Sequence, residues 1–373
     1  MTRVILIRHG QSTFNALGLY QGSSDAAVLT EKGLQTAYQT GKALQQDGIA
    51  AVYSSPLQRT QQTAQTLVKS WTHALPIMTH DQLREIDLPN WQGLSYSHVR
   101  EQDPIAYRCW RDRPHEFQIE SAQETAAGNL LTKVETATYP VLDLYRRAQE
   151  FWQAVLPKHP KDTIAIVSHG GTIRALISTA LGIAPSAFHQ MQQSNCGISI
   201  LDFPPDCPAQ LVALNLTQQV GELLPKLKEG KRGLRLLLLP TEPSCTINAE
   251  SWVETCAQVP INFCLSQKSS MTQPLKDQLD RLQSRSVVHL QVDTQNFLPV
   301  WNQMITRSVC PLDQVCTGLV VATTSEIQGL LHCIVGAVRP NSLRVDPGKL
   351  AVVYYPTSTT HPILQAMNWA IAG

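Results

Sequence analysis

Charge of either sign is scarce in this 373-residue chain: Lys and Arg number 30, Asp and Glu 29, and charged residues make up 16%. A net charge of +1 argues against nucleic-acid or acidic-membrane partners, so any positive potential that matters must be local. Long apolar runs are missing as well. LLLL at 236–239 is typical, far short of the roughly 20 residues a membrane-spanning helix needs. No two of the nine cysteines form a CxxC pair, and their number is odd. Free thiols in a reducing compartment are therefore expected, rather than a disulfide framework or a zinc site. The start runs almost directly into an apolar segment, which leaves no signal peptide and makes a cytoplasmic location the default expectation. Against these shortages stands a 43% hydrophobic fraction, too high for a disordered chain, and a length that allows two domains with a core in each.

The first fifteen residues, MTRVILIRHGQSTFN, organise the rest. Val4–Ile7 reads as a buried strand, and it stops at Arg8-His9-Gly10. Ligands of open α/β sheets bind at the carboxyl ends of strands. There a His can act as nucleophile, an Arg fork matches phosphate oxygens, and a Gly lets backbone approach an anion. Taken alone, RHG fits equally well a strand that merely ends in polar residues.

A turn-rich loop follows, containing Asn15, Gln21 and Gly22, and then a helix capped by Thr30 with Leu34, Ala37, Tyr38, Gly41 and Leu44 in helical spacing, closed by Gly48. Ile49–Tyr53 is a second strand, followed by a helix with Arg59 in its first turn. The helix dipole disfavours a cation there, so Arg59 has an anion to meet or is a solvated surface residue. Glu85 precedes a loop marked by Pro89, Asn90 and Gly93, a place where a Glu is ordinarily a surface residue. Residues 100–150 read as helical, with Ile105, Tyr107 and Trp110 and then Val141, Leu144, Tyr145, Ala148 and Trp152 supplying apolar faces and residues 120–138 as an elaboration. Thr163–Val167 then repeats the opening logic: a buried strand, His169-Gly170-Gly171, and a helix from Thr172 whose N-terminus is a ready anion site.

As a set, RHGQSTFN (8–15), YQGSSD (20–25), LTEKG (29–33), SSPLQRTQQTA (54–64), LREIDLPNWQG (83–93) and SHGG (168–171) resemble the histidine phosphatase superfamily, which includes the cofactor-dependent phosphoglycerate mutases. The resemblance implies an α/β fold with a doubly wound, mostly parallel sheet flanked by helices, and a covalent phosphohistidine. It implies His9 as nucleophile, Arg8, Arg59 and His169 as holders of phosphoryl oxygens, Glu85 as general acid, and Asn15, Gln21, Gly22 and Gly170 as pocket lining. No cofactor and no metal are implied. Chemically, two arginines and a protonated His169 can neutralise a phosphoryl group, and His9 attacks as neutral imidazole with its other nitrogen on a backbone carbonyl. A carboxyl beside the anion holds its proton more tightly, which suits Glu85; Asp87 is the second candidate acid.

In the mutases the acid is followed by an Arg and then a Tyr that grip the substrate carboxylate; Ile86-Asp87-Leu88-Pro89 supplies neither, so a hydrolase is expected. LREIDLPNWQG, YPVLDLYRRAQEFW (139–152) and QSNCGISILDF (193–203) resemble the plant-type 2-carboxyarabinitol-1-phosphate phosphatases, while EID…W.G also resembles metal-independent phosphoserine phosphatases. The partner expected is a small anionic phosphate ester, with no nucleic acid and no membrane; a homo-oligomer stays open.

Residues 206–232 read as a linker, dividing a catalytic domain (1–228) from a second α/β domain of the same type (229–373). RLLLLPTEPS (235–244) lines up with RVILIRHGQS (3–12), and LVVATTSEIQGLLHCIVG (319–336) with AIVSHGGTIRALISTALG (165–182). Pro240 and Thr241 then stand for Arg8 and His9, and Thr323 for His169: a degenerate copy without catalytic residues is expected.

Overall fold

The computed structural model describes residues 1–127, 130–228, 230, 232–242, 259–268, 277, 288–306, 314–359 and 361–370. The chain forms two compact units. The first comprises Met1–His189, Asn195–Gly197 and Asp202–Cys207; the second comprises Gln190–Ser194, Ile198–Leu201 and Pro208–Gly373.

In the first unit the order is β1 (Thr2–Arg8), α1 (Thr13–Leu17), α2 (Glu31–Ala43), β2 (Ile49–Ser54), α3 (Gln58–Lys69), β3 (Ile77–Thr79), α4 (Tyr96–Gln102), α5 (Pro104–Asp112), β4 (Ile119–Ala127), β5 (Leu130–Thr138), α6 (Pro140–Val155), β6 (Thr163–Ser168) and α7 (Gly170–Leu181). Its sheet is parallel, in the order β1-β6-β2-β3. Val4–Ile7 and Ile164–Val167 are buried throughout, the continuous apolar pattern of strands covered on both faces. On α6, Val141, Leu144, Ala148, Phe151, Trp152 and Val155 are buried at helical spacing. The helix packs on α7, where the Trp152 indole donates to the Leu176 carbonyl at 3.1 Å.

Three expectations change. Thr30 does cap α2, its hydroxyl accepting from Gly33 N at 3.1 Å, but the buried face is Gly33, Ala37, Thr40 and Gly41, and Leu34 and Tyr38 are exposed. Hydrophobic spacing caught Ala37 and Gly41, and Leu44 just past the helix, but Gly33 and Thr40 rather than Leu34 and Tyr38 take the remaining inward positions, because small residues hold α2 close to its neighbours. The helix ends at Ala43, before Gly48. Within the segment read as helical Ile105 is exposed, and the elaboration set apart at 120–138 contains the antiparallel strand pair β4 and β5.

The second unit contains β7 (Ile198–Phe203, its last two residues clustering with the first unit), β8 (Gln210–Leu216), β9 (Gly233–Thr241), β10 (Phe263–Gln267), β11 (Val288–Val292), α8 (Thr294–Thr306), β12 (Val315–Thr323), α9 (Thr324–Val335), β13 (Leu350–Pro356) and β14 (Ile363–Trp369). The strand order is β11-β10-β12-β9-β13-β14-β8-β7. The neighbours β11, β10, β12 and β9 run parallel, while β13 is antiparallel to β9 and to β14. Leu236–Leu239 and Leu319–Ala322 are fully buried. The fold class is thus α/β, with a mostly parallel, helix-flanked sheet. Pro243 and Ser244, the end of the 235–244 stretch, lie outside the described residues.

Cys109, Cys196, Cys207, Cys264 and Cys333 are free, but Cys316 is disulfide-bonded, against the free-thiol expectation. Spacing along the chain cannot reveal which Cα atoms approach within bridging distance. Among the described residues no helix is long and apolar enough to cross a membrane.

Candidate active site

The parallel pairing of β1 with β6 sets the geometry. Arg8 pairs with Ser168, so the next residues, His9 and His169, leave the sheet side by side, their ring centroids 5.3 Å apart. His9 is buried, and its Nδ1 lies 2.7 Å from the Gly10 carbonyl oxygen. A carbonyl only accepts, so Nδ1 carries the proton and Nε2 presents its lone pair. Gly10 is required by packing: a Cβ there would stand 2.5 Å from the Gly33 carbonyl oxygen.

β2 is the next strand over. Ser55, just after it, lies 2.8 Å from His169 Nε2. Arg59, in the first turn of α3, is fully buried; Nη1 donates to the Ser24 carbonyl at 2.7 Å and Nη2 to Gly22 at 2.9 Å. Arg59 is thus tied to the 20–25 loop and is no surface residue. Gly170 sits against Arg8, a Cβ there falling 3.5 Å from Arg8 Nε. Asn15 Oδ1 accepts from Ser12 N at 3.3 Å, and the Ser12 hydroxyl donates to Gln21 Oε1 at 2.8 Å.

Burial, opposed by the Glu85 carboxylate and reinforced by Arg8, pulls Arg59 down to about 10, still charged at neutral pH. Desolvation also lowers Arg8. His169 is driven well below its ordinary value, first by burial and then by Arg59, His9 and Arg8. Both causes favour the neutral imidazole, whereas the sequence reading has it protonated against a phosphoryl group. A bound dianion cancels that positive field, so its pKa rises on binding and a proton is taken up. Binding is therefore favoured at low pH and weakens as pH climbs through the bound-state value. Calorimetry of sulfate binding in buffers of different ionisation enthalpy should show net proton uptake near neutral pH, absent in His169→Asn; zero uptake by the unmodified protein would refute this.

Glu85 is not on the surface pattern expected of a lone Glu. Its carboxylate accepts from Gly171 N and Thr172 N, both at 3.1 Å, and from Ile86 N at 2.9 Å. The α7 N-terminus, read from sequence as an anion site, thus spends these N–H groups on Glu85. Arg147 of α6 holds the preceding backbone, donating to Arg84 O at 2.8 Å and to Gln82 O and Glu85 O at 3.4 Å. Asp87 is exposed and bonded to Ser23 and Gln92. Ser55, Gly171, Thr172, Arg147 and Asn195 were not singled out by sequence reasoning. Gly171, Ser55, Arg147 and Asn195 all stood inside quoted motifs, but nothing in those motifs gave them a role. Among the described residues, no group of three or more His, Cys, Asp or Glu could hold a metal ion.

The model of the histidine phosphatase superfamily (branch 1) matches residues 4–217. This chain belongs to the histidine phosphatase superfamily. It is 36% identical over 219 residues, 58% of its length and 42% of the other's, to a probable 2-carboxy-D-arabinitol-1-phosphatase of Arabidopsis thaliana. To the 2-carboxy-D-arabinitol-1-phosphatase of Triticum aestivum it is 32% identical over 266 residues, 70% of its length and 50% of the other's. To phosphoserine phosphatase 1 of Hydrogenobacter thermophilus it is 28% identical over 222 residues, 60% of its length and 96% of the other's. The chain spans half or less of the length of the two arabinitol phosphatases. Within this member of the superfamily, the matched span contains every residue of the strand-end cluster described above.

Proposed function

We propose that this chain is a metal-independent phosphoric monoester hydrolase working through a phosphohistidine. The observation that carries this is the His9 ring, with Nδ1 committed to Gly10 and Nε2 presented beside His169. The Nε2 lone pair attacks phosphorus as the ester P–O bond breaks, and Glu85 gives its proton to the leaving oxygen. Water then attacks the P–N bond, passes a proton to the Glu85 carboxylate, and Nε2 regains its lone pair. Arg8 and Arg59 balance the charge on the transferring group. The substrate is a small anionic organic phosphate, and the arabinitol phosphatases among the relatives favour a sugar phosphate such as 2-carboxyarabinitol 1-phosphate. Phosphoserine is the second reading, favoured by the bacterial relative. A phosphoglycerate mutase is the third, disfavoured by Ile86-Asp87-Leu88-Pro89. Phosphate release should be measured across these substrates with EDTA present, and with and without a bisphosphoglycerate primer. A strict need for Mg²⁺ or for the primer would sink the hydrolase reading.

We further propose that the second half repeats the first without its chemistry. Leu237 pairs with Leu319 and Thr241 with Thr323, the register that Ile5 shows with Ala165 and that brings His9 beside His169. Ser266 pairs with Val321 as Ser54 pairs with Val167, so Gln267 takes the place of Ser55. Its amide accepts from Thr323 N at 3.2 Å and donates to Glu326 at 2.8 Å. A carboxylate and an amide thus occupy the helix start, with Pro240 where Arg8 would stand. A cut after Lys228 also divides the second unit, severing Asn215 from the Gln365 carbonyl it contacts at 2.7 Å and baring the edge of β8. The 1–228 fragment should aggregate in size-exclusion chromatography; a monodisperse, active fragment would refute this.

A further inference from the structure

We propose that Asn195 is a positioning residue, one that locks the nucleophilic imidazole and the Asn15 amide in their working orientations; this rests on the phosphohistidine reading above. Asn195 lies in the QSNCG segment, which is pinned to the end of β1. Cys196 N donates to Arg8 O at 3.0 Å and Arg8 N to Gly197 O at 3.3 Å. Cys196 itself holds a left-handed backbone, φ 55°. This turn brings the Asn195 amide under the nucleophile loop.

There Nδ2 faces three acceptors: His9 O at 3.0 Å, Gly10 O at 3.2 Å and Asn15 Oδ1 at 2.9 Å. An amide has two N–H groups, so the three oxygens share them. Gly10 O is the same carbonyl that takes the proton of His9 Nδ1. Asn195 therefore holds in place the acceptor that decides which ring nitrogen of His9 carries the proton. Its second effect is on Asn15. With Oδ1 committed to Asn195 Nδ2 and Ser12 N, the Asn15 amide nitrogen is the end left to donate to an anion. One side chain thus ties the tautomer of the nucleophile to the polarity of the pocket wall.

The test uses the full chain with wild-type, Asn195→Ala and Asn195→Asp forms. The Asp variant keeps the shape and removes both donors, setting a carboxylate against oxygens; the Ala variant removes the amide without new charge. Rapid quench with an aryl phosphate should show phosphohistidine forming about 10- to 100-fold more slowly in Asn195→Ala, and more slowly still in Asn195→Asp. Long-range proton–nitrogen spectra of histidine-labelled protein, with His9 assigned from His9→Gln, should show the Nδ1-protonated tautomer in wild type and a loss of that preference in both variants. Wild-type formation rates, or slower rates with the tautomer unchanged, would overturn the positioning role. A wild-type protein that traps no phosphate on His9 fails at the earlier step, and takes this inference down with the phosphohistidine reading whatever the Asn195 variants do.

Discussion

His9→Ala should abolish turnover while leaving the protein folded and able to bind a phosphate-like anion. The substitution removes the one ring whose Nδ1 is held by Gly10 O and whose other nitrogen is presented beside His169. The cations stay: Arg59 is secured by Ser24 O and Gly22 O, and Arg8 continues β1, paired with Ser168. The backbone bond from residue 9 to Ser168 O, 2.9 Å, needs no side chain. Loss of a covalent nucleophile should lower kcat by on the order of 10³-fold or more. In rapid quench, acid-labile and alkali-stable phosphate should be trapped on the wild type and not on the variant. Retention of a sizeable fraction of activity by His9→Ala would assign the nucleophile to another residue.

Gly171→Ala should impair proton transfer through a single added methyl group while sparing the fold. A Cβ at 171 would stand 2.5 Å from Glu85 Oε1 and 3.4 Å from Leu144 Cδ2. Leu144 is in ordinary contact at that distance, so the strain falls on the carboxylate, which can swing aside only by leaving Gly171 N and Thr172 N. The fold should survive, because the displaced atoms are the end of a flexible side chain. Catalysis should not: turnover of esters with poor leaving groups should fall about 100-fold, since only these need a proton from Glu85 in the transition state. Activated aryl phosphates should lose much less. Glu85→Gln should show the same dependence on the leaving group, and the double variant should be little worse than either alone. Equal losses on both kinds of ester would move the acid role elsewhere, with Asp87 the next residue to substitute.

What sequence alone determined was local. A buried strand, a polar residue and a glycine are contiguous, so β1 with His9 and β6 with His169 could be read directly, as could the helix that carries Arg59. Matching registers then required only that the two strands be parallel neighbours. The tertiary structure decided whatever depends on residues distant in the chain. That Gly33 and Thr40 rather than Leu34 and Tyr38 complete the buried stripe of α2 follows from how closely Gly33 and Gly41 let it pack. The fate of the α7 N-terminus depends on Glu85, which arrives 86 residues earlier to take the Gly171 N–H. The downward pull on the His169 pKa is a sum of burial and the fields of Arg59, His9 and Arg8, none of which is legible until the four groups are in one place. Asn195 stood inside QSNCGISILDF without any legible role, because its partner His9 O lies 186 residues away. Hydrophobic patterning is a property of a segment; hydrogen-bond partnership and charge are properties of a neighbourhood, and only the folded chain makes one.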